Sequence, residues 1–267
     1  MRIRELAAAA GALLAAHATP AAAQRTGDRA RLVFTVSGAY VQGRGLWTVP
    51  AQPVQQTVDD TTALVDHFSI NRSIKGTVAA GFSGTYYPGE HVGLTADAFL
   101  LGLGFDDACR LTAPAESSRN QQICDDIDGQ EKSAAAVTLS GGAVFRFFSR
   151  EPISPFARVS AGLLFSNQSS VLTQGVTNNG VLLTIFEDSK RTRVSPSLAI
   201  GVGATTPIGR AYHLRWEVRD NIVGIEAVTG PTAAPRFEPP HERKYKHLFS
   251  ILIGIDVILE RNRGRRY

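Results

Sequence analysis

A chain of 267 residues carrying a formal charge of +4 is of one-domain size, and its charge is small and spread out. A basic cluster stands at the end, Arg261, Arg263, Arg265 and Arg266, without interleaved aromatics or a nucleic-acid motif, so nucleic acid is excluded as a partner and a solvated tail is expected. Mean hydropathy is near neutral, as when apolar residues alternate with polar ones instead of clustering.

The N-terminus reads as a signal peptide over residues 1–23. Arg2 and Arg4 supply a basic start, Leu6–Ala16 an apolar stretch, and Ala21–Ala22–Ala23 a small-residue cleavage site before Gln24. No later stretch approaches ~20 continuous apolar residues, so no transmembrane helix is expected beyond it. Export through this cleaved signal is the expectation.

Alternation then predicts eight strands in chain order: Arg31–Val41, Ile74–Tyr87, His91–Gly104, Ser133–Phe148, Pro155–Ser166, Val194–Thr206, Tyr212–Val223 and His247–Leu259. The last is the clearest. Phe249, Ile251, Ile253, Ile255, Val257 and Leu259 form one apolar set, while the other mixes Ser250, Gly254 and Asp256 with aliphatic residues. The seventh sets Leu214, Trp216 and Val218 against His213, Arg215, Glu217 and Arg219, and the fifth sets Val159, Leu163 and Phe165 against Arg158, Ser160 and Gly162. Strands with a bulky apolar stripe on one face and charge on the other suit lipid outside and a polar lumen inside.

The connections point the same way. Pro88–Gly89–Glu90, Ser149–Ser154 and Pro207–Ala211 are short, whereas Gln42–Ser73, Phe105–Lys132, Asn167–Arg193 and Gly224–Lys246 are long and polar. Strict alternation of short and long is the outer-membrane pattern of periplasmic turns and external loops. Tyr86, Tyr87, Phe147, Phe148, Phe156 and Tyr212 fall at the short-turn ends, where a girdle is expected, and Tyr40, Phe165 and Phe249 near the other end. The predicted fold is all-β, an eight-stranded antiparallel up-and-down transmembrane β-barrel over residues 24–259, with a short basic periplasmic tail at 260–267.

The segment Ile153–Ser154–Pro155–Phe156–Ala157–Arg158–Val159–Ser160–Ala161–Gly162–Leu163 resembles a strand opening of the small outer-membrane β-barrel superfamily (OmpA/OmpX/OmpW-like). Leu214–Arg215–Trp216–Glu217–Val218–Arg219 is similar to that group's penultimate strand, and Gly254, Val257 and Leu259 resemble the insertion signal of its closing strand. The chain departs from the group in placing Glu260–Arg266 between the last strand and Tyr267. The resemblance implies a monomer in the outer membrane, lipid and lipopolysaccharide around it, and the barrel-assembly machinery as a partner during insertion. An OmpA-like peptidoglycan-binding domain is not expected.

In a barrel this small side chains fill the lumen. The predicted inward set is Thr77 with a charged network of Asp97, Arg146, Arg158, Arg215, Glu217, Arg219 and Asp256, in which Asp256 is expected to bridge the row of Arg215, Glu217 and Arg219. Buried charges must be paired, so this network is expected to plug the lumen; the alternative is a narrow path for ions or small solutes lined by the same groups. Cys109 and Cys124, fifteen apart in an exported chain, are predicted to form a disulfide.

Asp106, Asp107, Asp125, Asp126, Asp128 and Glu131 surround the cysteines; a solvated acidic loop is expected, with Asp125, Asp126 and Asp128 as weak calcium candidates lacking the usual loop spacing. The Gln/Thr-rich first connection, with Trp47, is a candidate surface for a partner or glycan. Cofactors are not expected.

A lipid-modifying enzyme would need a serine, a histidine and an acid together at the outer rim. His91 and His213 lie at the wrong end, and His247 and Ser250, three apart, point to opposite faces. The expectation is therefore a structural or surface-interaction barrel and not an enzyme.

Overall fold

The computed structural model describes residues 29–59, 62–112, 118–128, 131–148, 152–166, 171–176, 182–188, 194–209, 211–232 and 239–262. The signal peptide and its cleavage site, and residues 263–267 of the tail, lie outside them. In chain order the strands are β1 (Arg29–Val41), β2 (Arg44–Asp59), β3 (Thr62–Ile74), β4 (Thr77–Tyr86), β5 (Val92–Leu111), β6 (Glu131–Arg146), β7 (Ser154–Ser166), β8 (Val171–Val176), β9 (Leu182–Asp188), β10 (Val194–Pro207), β11 (Tyr212–Val228) and β12 (His241–Asn262). A single described helix, α1 (Ser118–Ile127), follows β5. No helix among the described residues is long and apolar enough to cross a membrane.

Eight strands close a ring in the order β1, β4, β5, β6, β7, β10, β11, β12, and β12 returns to β1. All pairs are antiparallel, and the closing register matches Ser37 with Gly254 and Tyr40 with Ile251. Closure removes the sheet edges, which lipid cannot satisfy with hydrogen bonds. The ring is inside out relative to a soluble protein. Ile253 is 63% exposed, Val202 59% and Val159 48%, while Asp97, Arg158, Arg215 and Glu217 are buried. A continuous apolar outer band around a polar interior is a lipid-facing surface, so the predicted transmembrane barrel is the fold.

The short turns carry the outer aromatics Tyr86, Phe147, Phe148 and Tyr212. Tyr87 and Phe156, predicted for that girdle, are instead buried in the lumen with Val33 and Val144. Their positions explain it: Phe156 shares the face of Arg158, and Tyr87 continues the inward set of Ser83 and Thr85 one step past the end of β4.

The larger correction concerns the long connections, which are not simple loops. Much of Gln42–Ser73 is the hairpin β2–β3, which continues the hairpin β1–β4 past the membrane band. The two hairpins join at Gly43 and Gly76. A Cβ on Gly43 would meet the Ile74 carbonyl oxygen at 2.3 Å, a backbone contact that only glycine avoids, while one on Gly76 would push aside the Tyr40 hydroxyl, 2.2 Å away. The predicted strand starting at Ile74 is thus split at Lys75–Gly76. β5 runs on through Leu111 and pairs with β3, while β11 and β12 project to Val228 and His241. The connection 167–193 contains the separate hairpin β8–β9.

These projections enclose a second core. Val41, Trp47, Phe68, Ile70, Phe105, Ile123, Ile127, Val223 and Leu248 are buried together, continuous with Phe99, Leu101, Leu164 and Leu252 at the mouth of the barrel. The result is a folded head on the long-connection end.

Cys109 of β5 and Cys124 of α1 form the predicted disulfide and fasten the helix to the head. On the chain-entropy model a loop of this size gains about 3 kcal/mol. Serine at both positions is expected to open residues 110–131 to trypsin while the barrel keeps its heat-modifiable gel mobility. Limited proteolysis in detergent, followed by gel electrophoresis, reads both.

Candidate functional site

The alternation of β11 puts Arg215, Glu217 and Arg219 on one wall of the lumen. Glu217 is the hub. Its Oε2 accepts from Arg215 Nη2 at 2.9 Å and from Arg158 Nη1 at 3.5 Å, and its Oε1 accepts from Arg219 Nε at 2.8 Å. Arg158 reaches across from β7 and also donates to Asp97 of β5. Arg215 lies 3.8 Å from Asp256 of β12, whose other oxygen accepts from the Thr35 hydroxyl at 2.7 Å. Three guanidiniums therefore meet three carboxylates, and the cluster is neutral. Such pairing offsets the cost of taking charges out of water.

Apolar groups close the cluster on both sides. The Arg215 guanidinium stacks on Phe156 at 4.0 Å, toward the short-turn end, and Arg219 stacks on Phe99 at 5.5 Å, toward the head. The cavity left among Thr35, Asp97, Arg158, Glu217 and their neighbours holds about 10 Å³. Space of that size is about one water molecule's. Glycine at 201 makes room, since a Cβ there would meet Glu217 Oε1 at 2.6 Å.

The predicted inward residues do not all converge. Asp97, Arg158, Arg215, Glu217, Arg219 and Asp256 form the cluster. Arg146 lies one layer away, over the Tyr87 ring at 3.9 Å with its Nε donating to the Glu90 carbonyl. Thr77 is on the inward face at the opposite end, where its hydroxyl donates to the Val78 carbonyl at 3.4 Å. Asp256 touches only Arg215 of the row, so the bridging role expected of it falls to Glu217. Thr35, Phe99 and Phe156 join the cluster as partners outside the predicted inward set. Thr35 was findable, because it alternates with the outward Phe34 and Val36.

The head holds its own ion pair. Arg72 of β3 donates twice to Asp107 of β5, both at 2.5 Å, between the rings of Trp47 and Phe105. Asp106 pairs with Lys75 at 2.9 Å. These two acids, predicted in a solvated loop, are β5 residues: Asp107 locks β5 to β3, and Asp106 locks it to the break between β3 and β4. Asn120 of α1 donates to Asp66, and Gln52 of β2 donates to Thr232 at 2.9 Å, which ties the helix and the post-β11 segment into one head.

Asp125, Asp126 and Asp128 sit on the exposed last turn of α1 and beyond it, and Asp125 accepts from Gln121 at 2.8 Å. Among the described residues no group of three or more histidines, cysteines or acids is placed to hold a metal. His247 faces outward against Asp220 at 2.7 Å, while Ser250 faces inward and donates to the Arg219 carbonyl. The two do not meet.

No protein-family model matches the chain, and no curated protein matches it. Solved structures do. The outer membrane protein OprG from Pseudomonas aeruginosa superposes with a TM-score of 0.50 at 9% identity, covering 90% of this chain and 100% of that one. The Neisserial surface protein A is similar with a TM-score of 0.43 at 10% identity, covering 87% and 99%. Ail, the attachment invasion locus protein of Yersinia pestis, gives 0.39 at 12%, covering 87% and 99%. At this identity the OprG likeness is one of fold, and that fold is the small outer-membrane β-barrel.

Proposed function

We propose that the protein is exported through a cleaved signal peptide and stands in the outer membrane as a monomeric barrel with a plugged lumen. Its work is structural or surface-interaction work done by the head. Barrel-assembly machinery inserts it, lipid and lipopolysaccharide surround it, and no catalysis is assigned. The observation that carries this reading is the filled lumen: a neutral ion cluster enclosed by Phe156, Tyr87 and Val144 on one side and by Phe99, Leu101 and Leu252 on the other. A solute path needs polar space through both layers. The long β5, β11 and β12 put residues where recognition normally resides, on segments held by a rigid scaffold.

A second reading, a narrow channel for ions or small solutes, has one observation in its favour, the charged row lining the lumen. Single-channel recording in planar bilayers separates the two. The purified protein is expected to give no unitary conductance steps at either polarity; regular steps in the folded, heat-modifiable form would make the channel reading the right one.

A further inference from the structure

A cleft of about 370 Å³ opens on the head between β2 and the upper ends of β11 and β12. That volume lies at the low end of small-ligand sites. Leu46, Trp47 and Val228 line it as buried apolar groups, and Thr48, Asn71 and Thr229 supply polar ones. The charged lining is Lys244 and Lys246, which share one face of β12 by the period of two.

Lys246 Nζ donates to the Gly45 carbonyl at 3.2 Å, which uses one of its three N–H groups. Burial, then the neighbouring charges of Lys244 and Arg44, hold its ammonium below the usual lysine range. Both of those neighbouring charges are cationic. Thr48 donates to Asn71 Oδ1 at 3.1 Å, so the Asn71 amide offers its N–H donors at the rim. Crowded like charges repel, and an anion bound among them would relieve the repulsion. Lys246 stands three residues, about 10 Å, along β12 from the outward aromatic Phe249, close to the edge of the lipid band.

We propose that this cleft binds an oxyanion, phosphate or sulfate, carried on a saccharide. Two cationic side chains supply charge-assisted hydrogen bonds to the oxyanion, and the mixed hydroxyl, amide and apolar lining suits the sugar. The proposal rests on the surface-interaction reading for where its ligand comes from, but binding is a property of the purified protein and is tested without reference to orientation or conductance.

The test uses the full protein in phosphatidylcholine nanodiscs and follows acetylation of individual lysines by a reactive ester, read by peptide mass spectrometry. One arm adds bis-phosphorylated lipid A to the discs; the other adds soluble dextran sulfate. At least one is expected to slow acetylation of Lys244 and Lys246 about tenfold and to lose that effect at high salt, while Lys75 reacts as before. Protection by lipid A alone assigns a membrane-borne ligand, and protection by dextran sulfate alone a soluble glycan. K244Q/K246Q is expected to weaken binding about tenfold. Neither probe protecting these lysines, or equal protection of Lys75, overturns the proposal. The labelling uses the unaltered protein, so it decides even if the double variant fails to fold.

Discussion

Replacing Glu217 with glutamine is expected to destabilise the barrel by about 3–5 kcal/mol, the cost of removing one partner from a buried ion pair. Glu217 receives Arg215, Arg219 and Arg158 at once, and its own side chain is 1% exposed. Glutamine keeps the shape but leaves three guanidiniums facing only Asp97 and Asp256. Apolar layers on both sides leave the surplus charge little access to water. Urea unfolding followed by gel mobility measures the loss. The companion substitution R219Q, made in the E217Q background, is expected to recover part of it, because it removes one of the surplus cations. Unchanged stability in E217Q would show a hydrated row and a lumen that is not plugged in this way.

Arginine in place of Ile253 is expected to cost about 2–4 kcal/mol, and arginine in place of Leu259 only about 0–1 kcal/mol. Both side chains are 63% exposed on the outer face of β12. They differ in depth: Ile253 pairs with Gly38 in mid-barrel, while Leu259 lies beyond the Val257–Phe34 pair, near the short-turn end. In water, two equally exposed positions would tolerate arginine equally. Equal penalties would therefore argue against a lipid face. The inward neighbour Leu252 is no mild control, since it is buried in the apolar layer that closes the lumen toward the head.

What could be read in advance follows from where alternation is clean. Inside the lipid band each strand must face hydrocarbon on one side and the lumen on the other, so the period of two survives in β6, β7, β11 and β12, and their inward charges were identifiable. In the head that constraint ends. β2 carries Pro50 and Pro53 and slips register at Gly45–Trp47 and Val49–Gln52, which scrambles its alternation. β3 does alternate through Phe68, Ile70 and Ile74, but its inward set includes Arg72, and that of β5 includes Asp107. A charge that finds its partner only in three dimensions looks like a loop residue in one. The same holds for Glu217 as hub: the row was visible, but Arg158 and Phe156 reach it from β7, across β10, and no local spacing announces that.

A lipid-embedded barrel that carries its folded head on the cell surface is open to a direct test by epitope accessibility on intact cells. One variant carries a tag between Val176 and Leu182, in the β8–β9 connection; a second carries it at Gly89, in the short turn between β4 and β5. Antibody is expected to bind intact cells bearing the first tag and to reach the second only after the outer membrane is permeabilised. Binding to the Gly89 tag on intact cells, with the β8–β9 tag silent until permeabilisation, would contradict the account.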